Sequence, residues 1–406
     1  MADFLFKILF FLFFAVQIIL AFHLLLPFLL FVIHLLFTGN KKIINGKYIK
    51  TENKEYDFAA IATVHKDTRF ILPLIDSFLK QTYSNFILYV IADDCDISSL
   101  NVNNSNVRLL KPEPVLNAKI KSIKYAADRF ERDHDVMIVF DSDNLVHPAY
   151  LENLNNYFCC GFKAVQTHML SKNTETIYSR LDSIGHIYNT FTERQARMEL
   201  GLSSCILGLG IAIDTKLYKK VMYKDELGGF DKKLQADLID NTQQLAFAKE
   251  AIVYDEKVDD GNTLERQRTR WIYTYFKYFK INFRLFLRGL VQLNFNKVYF
   301  AFSALRPPLF ITLALAFVLT IIDFFINPLT GFIFTGIIFL FALSFVLIVL
   351  TQSRQKGMAE ALLYIPVIVF RQISAFLKLK KAKSDFLKTE HTKVLYIDDV
   401  LRNEAV

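Results

Sequence analysis

Hydrophobic and polar positions divide this chain into three parts. Residues 4–37 are almost entirely apolar and contain one formal charge, Lys7. Two uncharged apolar runs follow late in the chain, at residues 307–322 and 328–350. Between the N-terminal run and these two late runs, from about Asp57, short apolar runs alternate with polar segments. This pattern predicts membrane-spanning helices on both sides of a water-facing domain.

The N-terminal run predicts a retained membrane anchor, because it is too long for a signal-peptide core and lacks a small-residue cleavage site. As one helix it would be about 50 Å long, against roughly 30 Å of hydrocarbon. We expect one spanning helix with an interfacial extension. The alternative is a break near His23 and Pro27.

The middle stretch has the pattern of a parallel sheet with crossover helices. Strands are predicted at residues 58–63, 86–92, 107–110 and 136–140, with helices over 71–81 and 118–130. Ligands of such sheets bind at the carboxyl ends of the strands. Polar residues that directly follow these strands are therefore the first candidates for a site.

Basic residues explain the formal net charge of +8. Residues 272–306 contain six basic and no acidic side chains, residues 353–383 add seven basic ones, and the loop 323–327 contains no Lys or Arg. The positive-inside rule then predicts a cytoplasmic middle domain and tail. This distribution disfavours a nucleic-acid-binding protein, because the basic residues flank apolar spans.

Residues 273–288 predict a helix that lies on anionic lipid rather than crossing it. One helical face has Lys277, Lys280, Arg284 and Arg288, and the other has Phe276, Phe279, Phe283, Phe286 and Leu290. Residues 357–379 predict a second interfacial helix, with a third span as the alternative. The four cysteines and the histidines at 65, 168 and 186 show no metal-site spacing, and Gly-rich phosphate loops are absent from the sequence.

Asp141 and Asp143 directly follow the strand at 136–140. Two carboxylates at this spacing on a bend can converge on one hard cation, and Mg²⁺ or Mn²⁺ there would stabilise a diphosphate leaving group. The alternative is a solvated turn. Asp93 and Asp94 end the strand at 86–92, where they can accept hydrogen bonds from a base or ribose, or act as a cap.

Two further motifs follow. Gly208 and Gly210 lie in an apolar run, where glycine permits close approach or positive φ, although a strand bulge fits equally well. Gln267-Arg268-Thr269-Arg270-Trp271 contains the only tryptophan. Arg270 can bind phosphate oxygens and Trp271 can stack on a sugar, whereas the alternative is an interfacial Trp with a snorkelling Arg.

These motifs together resemble glycosyltransferase family 2. The resemblance covers roughly Phe58–Trp271, with membrane segments on both sides as in the cellulose, chitin and hyaluronan synthase-like branch. It follows the residues Ile61–Asp96, Asp141-Ser-Asp, Ala164-Val-Gln-Thr-His, Leu207-Gly-Leu-Gly, Asp255-Glu-Lys and the Gln267–Trp271 pentad. It implies an α/β nucleotide-diphosphosugar transferase (GT-A, Rossmann-like) fold and a metal-dependent hexosyl- or N-acetylhexosaminyl-transferase.

The resemblance also implies roles for single residues. Asp93 or Asp94 would contact the nucleotide, Asp141 the nucleotide-sugar and Asp143 the metal. Gln267, Arg270 and Trp271, with Gly208 and Gly210, would line the acceptor and diphosphate end. The family's opening Pro-Ala-Tyr-Asn-Glu is replaced here by Thr63-Val-His65-Lys-Asp, in the loop that touches the nucleotide.

An inverting transfer also needs a carboxylate base. The family provides it in a Glu-Asp pair upstream of the pentad, and this chain has no such pair. Asp231, Asp237 and Asp240 are the candidates. We prefer Asp231, because Phe230-Asp-Lys-Lys-Leu matches the family's Glu-Asp-x-x-Leu pattern with Phe in place of Glu. The alternative is a turn followed by a helix cap.

The predicted organisation is an anchor at 1–40, a catalytic domain at 41–271, an interfacial helix at 272–300, two transmembrane helices at 301–352 and a basic tail at 353–406. We expect a multi-pass protein of the inner membrane that transfers sugar from a UDP-sugar to a saccharide or lipid-linked acceptor in polysaccharide synthesis. Three spans do not make a wide polymer channel, so polymer export would need a partner. Alternatives are a single-addition transferase, a non-catalytic membrane scaffold that binds nucleotide-sugar and, least favoured, a transporter.

Overall fold

The computed structural model describes residues 2–38, 48–221, 230–353, 355–379 and 391–405. Eight strands are present: β1 (Phe58–His65), β2 (Phe86–Asp93), β3 (Val107–Leu110), β4 (Val136–Asp141), β5 (Leu145–Val146), β6 (Ala164–Ser171), β7 (Ile211–Asp214) and β8 (Ala246–Asp255). The predicted boundary at residues 40 and 41 lies outside the described residues, as do the basic positions 354 and 380–383.

The helices around the sheet and in the apolar runs are α1 (Ala2–Ile33), α2 (Ile71–Leu79), α3 (Lys119–Ala127), α4 (Tyr150–Cys159), α5 (Ile177–Thr190), α6 (Ala196–Leu200), α7 (Thr215–Val221), α8 (Phe230–Asn241), α9 (Gly261–Val291), α10 (Phe295–Ala304), α11 (Leu309–Ile326) and α12 (Pro328–Gln352). Three shorter ones follow: α13 (Met358–Leu362), α14 (Ile365–Leu377) and α15 (Ile397–Ala405). A π-helical turn, Phe191–Gln195, joins α5 to α6.

The eight strands form one sheet in the order β3-β2-β1-β4-β7-β6-β8-β5. The four predicted strands, β1 to β4, are parallel neighbours as the alternating pattern predicted. The other half is mixed, because β7 runs antiparallel to both β4 and β6, and β5 runs antiparallel to β8. Strands β5 and β7, which are two and four residues long, were not among the predicted strands.

Both faces of the sheet are covered, which explains why its central strands are apolar except at their carboxyl ends. Phe58 and Ala60 point to a cluster that includes side chains of α2 and α4. Ala59 and Ile61 point to the opposite cluster, which includes side chains of α3, α8 and α9. The register pairs His65 with Asp93 and Thr63 with Asp141, so the polar strand ends meet at one edge.

Among the described residues, three helices are long and apolar enough to cross a membrane: Lys7–Phe37, Leu309–Ile326 and Pro328–Gln352. They overlap the three predicted apolar runs. The helix α14 is apolar but has only 13 residues. Leu24, Phe31 and Phe341 of the apolar helices share a cluster with Tyr188 and Phe191, so these helices pack against the sheet domain.

The helix α9 begins earlier than the predicted interfacial helix and includes the whole pentad. The side chain of Asp260 accepts hydrogen bonds from the backbone N–H groups of Asn262 and Thr263 and fixes this start. Beyond the pentad, α9 turns Tyr278 and Leu285 inward and leaves Phe276, Phe279 and Phe283 exposed.

Candidate active site

The ends of β1 and β2 give Asp93 and Asp94 different surroundings. Asp93 is buried, and its carboxylate accepts hydrogen bonds from the backbone N–H groups of Leu116 (2.7 Å) and Asn117 (2.8 Å). Its Oδ2 also lies 3.1 Å from Nδ1 of His65. Asp94 is exposed at φ 54°, with Lys66 at 3.6 Å. Asp93 therefore fixes the loop after β3, and Asp94 is open to a ligand.

The bend after β4 holds Asp141 and Asp143 in place through Asn144. The Asn144 side chain accepts a hydrogen bond from the Asp141 backbone N–H (2.9 Å) and donates one to Asp255 at the end of β8 (3.1 Å). With the bend held by these two hydrogen bonds, the carboxylates of Asp141 and Asp143 lie in different surroundings. Asp141 is partly exposed, and Asp143 is 3% exposed.

Asp141 is joined to the glycine loop by Lys119. The Lys119 Nζ donates to Asp141 Oδ1 (2.6 Å) and to the carbonyl oxygen of Gly208 (2.7 Å). Thr63, on the neighbouring strand, donates to the Phe140 carbonyl at 3.4 Å. The positively charged ammonium group of Lys119 therefore lies between Asp141 and the glycine loop, which is predicted to contact the acceptor.

Asp143 belongs to a cluster of possible metal ligands with Glu256 and His391. One ligand atom from each of the three lies within 4.8 Å of the others, the only such group among the described residues. Asp143 Oδ2 is 3.5 Å from Nδ1 of His391. Burial lowers the pKa of His391, but the surrounding carboxylates outweigh it and raise that pKa. This concentration of carboxylate oxygens suits Mg²⁺ or Mn²⁺, and the imidazole is compatible with Mn²⁺.

His391 is brought to the site by residues 391–405, here called the C-terminal strap. The two carboxylate oxygens of Glu256 accept hydrogen bonds from the backbone N–H groups of Thr392 (2.6 Å) and Lys393 (3.0 Å). Farther along, Ile397 and Val400 are buried in a cluster with Leu145 and Tyr254. The strap is thus attached at two places to β5 and the end of β8.

The pentad presents its polar side chains to the same region from α9. Burial lowers the pKa of Arg270, and the charges of Asp141 and Asp231 act against this effect, so both carboxylates interact electrostatically with the guanidinium. The Oε1 atom of Gln267 is buried and has no hydrogen-bond partner among the described residues. A buried acceptor of this kind is normally satisfied, which points to a ligand or water at this place.

Trp271 is 46% exposed, and its indole ring contacts another residue of its own helix. The guanidinium of Arg268 lies 4.3 Å from the centre of the indole ring. Arg268 in turn donates a hydrogen bond to Asp182 of α5 at 2.5 Å. The buried ion pair of Arg268 and Asp182 therefore supports the partly exposed indole ring.

The glycine loop has one position that requires glycine. Gly210 has φ +60°, and a Cβ there would lie 2.5 Å from Thr167 Oγ1. Thr167 Oγ1 donates to the Gly210 carbonyl at 2.7 Å, and the Gly210 N–H donates to Val139 at 2.7 Å. Gly208 has open space around its Cα. The loop is thus held by hydrogen bonds at Gly210, whereas a Cβ at position 208 would have no neighbouring atom within 4 Å.

The three candidate bases lie on α8 in different surroundings. Asp231 is partly buried in the first turn, near Arg270. Asp240 forms ion pairs with Lys297 (3.1 Å) and Arg288. Burial raises the pKa of Asp237, and the charges that act on it are those of Lys233 and Arg288. Of these three aspartates, Asp231 has an electrostatic interaction with Arg270 of the pentad.

Residues 57–274, which include all of these side chains except those of the strap, Arg288 and Lys297, match the model of a protein family described as glycosyltransferase like family 2. The match covers more than half of the 406 residues. The chain belongs to this glycosyltransferase family. No curated protein matches it.

Solved structures show which fold this family 2 domain has. The mannosyltransferase PcManGT from Pyrobaculum calidifontis, solved with GDP-Man and Mn²⁺, is 12% identical with a TM-score of 0.56, over 91% of this chain and 99% of that one. At this identity the likeness shows the fold alone, a GT-A-like α/β domain. S. aureus TarS is 12% identical over 62% of this chain and 55% of that one, and its TM-score of 0.39 is too low for a conclusion.

Sequence reasoning about this family 2 glycosyltransferase missed Lys119 and His391 as site residues. Glu256 was visible within the Asp255-Glu-Lys motif, but no role followed from it. Lys119 was one of several basic residues on a predicted helix, and its position after β3 was the available signal. His391 lies beyond the apolar helices, where no local pattern joins it to Asp143.

Proposed function

We propose that the protein is a membrane-bound, inverting glycosyltransferase that uses a nucleotide-diphosphosugar, specifically a UDP-sugar. The observation behind this proposal is the meeting of Asp141, Asp231 and Arg270 beside the cluster of Asp143, Glu256 and His391. Such a site has a base, a cation for the leaving group and ligands for a metal. The similar mannosyltransferase structure, which contains GDP-Man and Mn²⁺, supports a nucleotide-sugar donor and a divalent cation.

The donor side is assigned to the strand ends. Asp94 binds the nucleotide, while Asp93 positions the loop at 116–117 and, through it, the start of α3. Thr63 and His65 line the nucleotide, and Asp141 orients the donor with Lys119. Asp143 and His391 hold Mg²⁺ or Mn²⁺, with Glu256 beside them and Asp141 near. When bound, the cation neutralises charge on the departing diphosphate.

The acceptor side is assigned to α8, α9 and the glycine loop. Asp231 accepts the proton of the acceptor hydroxyl, which attacks the anomeric carbon as the diphosphate leaves. Arg270 stabilises the diphosphate through charge-assisted hydrogen bonds. Gln267 and Trp271 contact the sugar, and Gly208 and Gly210 shape the floor on which it lies.

The membrane arrangement is also part of the proposal. Three helices suit a span, and basic residues follow them on the side of the sheet domain. We assign the anchor to residues 1–40, the cytoplasmic catalytic domain to 41–271, the interfacial helix to 272–300, two spans to 301–352 and a tail to 353–406, all at the inner membrane. The process would be polysaccharide synthesis in the cellulose, chitin and hyaluronan synthase-like branch, with export by a partner.

The test is release of nucleotide by the detergent-purified full chain from UDP-, GDP- and dTDP-sugars, with Mg²⁺ or Mn²⁺. We expect UDP release that EDTA abolishes, that returns with added cation, and that is lost in Asp143→Asn. The matched control is Asp135→Asn, since Asp135 precedes β4, at the opposite edge of the sheet, and pairs with Lys54. Saturable donor binding without turnover would favour the non-catalytic scaffold, and a panel with neither binding nor turnover would refute the transferase.

A further inference from the structure

A narrow crevice lies where α1 meets the sheet domain. His23 and Pro27 of α1 line one side, and Glu193, Arg197, Ser303 and Arg306 line the other. Its free space is about that of one water molecule, so a sugar ring does not fit. The crevice thus separates an apolar helix from a strongly charged wall.

Three arginines surround a single carboxylate at this wall. Arg306 pairs with Glu193 at 3.3 Å, and Arg197 and Arg194 also act on Glu193 electrostatically. Burial raises the pKa of Glu193, but the three arginines outweigh it and hold that pKa below its usual value. Arg197 and Arg306 line the crevice with Glu193, whereas Arg194 lies behind this lining, so the lining itself has an excess of one positive charge and the whole group an excess of two.

Two of these arginines are buried without an anionic partner. Arg194 and Arg197 are 4% and 3% exposed, and among the described residues neither has a carboxylate within ion-pair distance. Nε of both and Nη1 of Arg194 have no hydrogen-bond partner there. The guanidinium of Arg197 is held over the rings of Tyr299 and Phe300. Burying unpaired cations is costly, which indicates that an anion completes this place.

The charged wall is continuous with the acceptor side of the proposed site. Glu193 and Arg194 lie in the π-helical turn, a feature often found at functional sites. The Glu193 carbonyl accepts a hydrogen bond from the Cys205 N–H at 3.0 Å, and Arg197 Nη1 lies 3.3 Å from Cys205 Sγ. Cys205 begins the segment that leads to Gly208. Lys232, next to Asp231, also acts on Glu193.

We propose that this crevice binds the phosphate of a membrane lipid, and that this lipid is the carrier of the acceptor. Guanidinium groups match phosphate oxygens in geometry and charge, and the free space of the crevice admits one phosphate oxygen, so the rest of the phosphate group lies at its mouth. The opposite wall is the apolar helix α1, along which a hydrocarbon chain can lie. The acceptor's sugar hydroxyl then extends past Cys205 toward Asp231. This inference rests on the proposed transferase function and names its acceptor class.

The first experiment measures binding of decyl phosphate, decanol and inorganic phosphate to the detergent-purified full chain by calorimetry. We expect decyl phosphate to bind and decanol not to bind. Arg197→Gln weakens the binding by about tenfold or more, since a charge-assisted bond is lost. The matched control is Arg129→Gln, an exposed arginine stacked on Tyr125, which leaves the Kd unchanged. Equal affinity in wild type and Arg197→Gln refutes the proposal, and equally tight inorganic phosphate refutes the lipid.

A second variant remains informative if Arg197→Gln does not fold. Glu193→Gln removes the carboxylate that competes with the ligand, so we expect it to bind decyl phosphate more tightly than wild type. A purely structural cluster predicts no gain. Weaker binding by folded Glu193→Gln contradicts direct contact between the arginines and the phosphate.

The acceptor assignment is tested with radiolabelled donor and a lipid extract of the source membrane. Decyl phosphate should inhibit transfer to lipid and leave acceptor-independent nucleotide release unchanged. Binding without inhibition identifies an ordinary phospholipid site and refutes the acceptor assignment. Donor turnover without decyl phosphate binding refutes this inference alone, whereas binding without turnover of any donor refutes the proposed function.

Discussion

Asp231 is the residue on which the proposed chemistry depends most directly. Its carboxylate acts on Arg270, while the nearby acids of α8 act on other cations. We predict that Asp231→Asn lowers kcat for acceptor-dependent nucleotide release by about 10²–10⁴-fold, because a positioned base is lost. Donor binding should be retained, as seen by calorimetry with the nucleotide-sugar.

The matched control is Asp237→Asn on the same helix, which should keep a kcat close to that of wild type. A normal kcat in Asp231→Asn together with a reduced kcat in Asp237→Asn would move the base to Asp237. This comparison separates a catalytic role from a general need for acidic residues on α8.

Gly210 offers a test of the glycine loop. Gly210→Ala places a Cβ against Thr167 in a left-handed backbone conformation, which costs roughly 1–2 kcal/mol before the overlap is added. We expect a lower Tm in a thermal melt. Gly208→Ala is the control, because nothing lies within 4 Å of its new Cβ. Equal Tm values for the two variants would contradict the strained position of Gly210.

The sequence predicted residues of the site where a strong local pattern existed. Asp93, Asp141 and Asp143 follow long buried strands, so the parallel register brings them to one edge. Lys119 and His391 could not be found in the same way. Their approach to Asp141 and Asp143 depends on how a loop and a distant tail pack, which no periodicity records.

Among the elements, the start of the C-terminal strap is held by hydrogen bonds to the carboxylate of Glu256, and its helix is held by the buried side chains of Ile397 and Val400. We predict that Glu256→Gln accelerates amide hydrogen exchange at Thr392 and Lys393 by about tenfold, because bonds to a charged acceptor become neutral ones. Glu250→Gln on the same strand is the control, since Glu250 accepts from Tyr157 instead. Unchanged exchange at both amides would show that Ile397 and Val400 suffice to hold the strap.

Element boundaries were predicted less well than the elements themselves. The end of the catalytic domain was placed at residue 271, where the composition becomes basic and aromatic. The structure continues one helix through that point from Gly261 to Val291. A change in composition marks a change of environment, whereas the helix start is set by the Asp260 cap.

At the scale of the whole molecule, the distribution of basic residues predicts which side of the membrane each segment faces. We predict that Phe325→Cys, exposed in the last turn of α11, reacts with a membrane-impermeant maleimide in intact cells. Asn403→Cys in α15 should react only after permeabilisation, with wild type as the background. Labelling of Asn403→Cys in intact cells would reverse the topology.

The position of the C-terminal strap in the sequence sets the order in which the parts of the proposed site are synthesised. Asp143 and Glu256 are synthesised before the two apolar helices α11 and α12, and His391 is synthesised after them. A growing chain can therefore fold its sheet early, but it lacks the last ligand of the proposed cation cluster. The catalytic centre becomes complete only when the helices have left the ribosome. If the proposed site is correct, the chain therefore completes its cation cluster only after the two apolar helices have been synthesised.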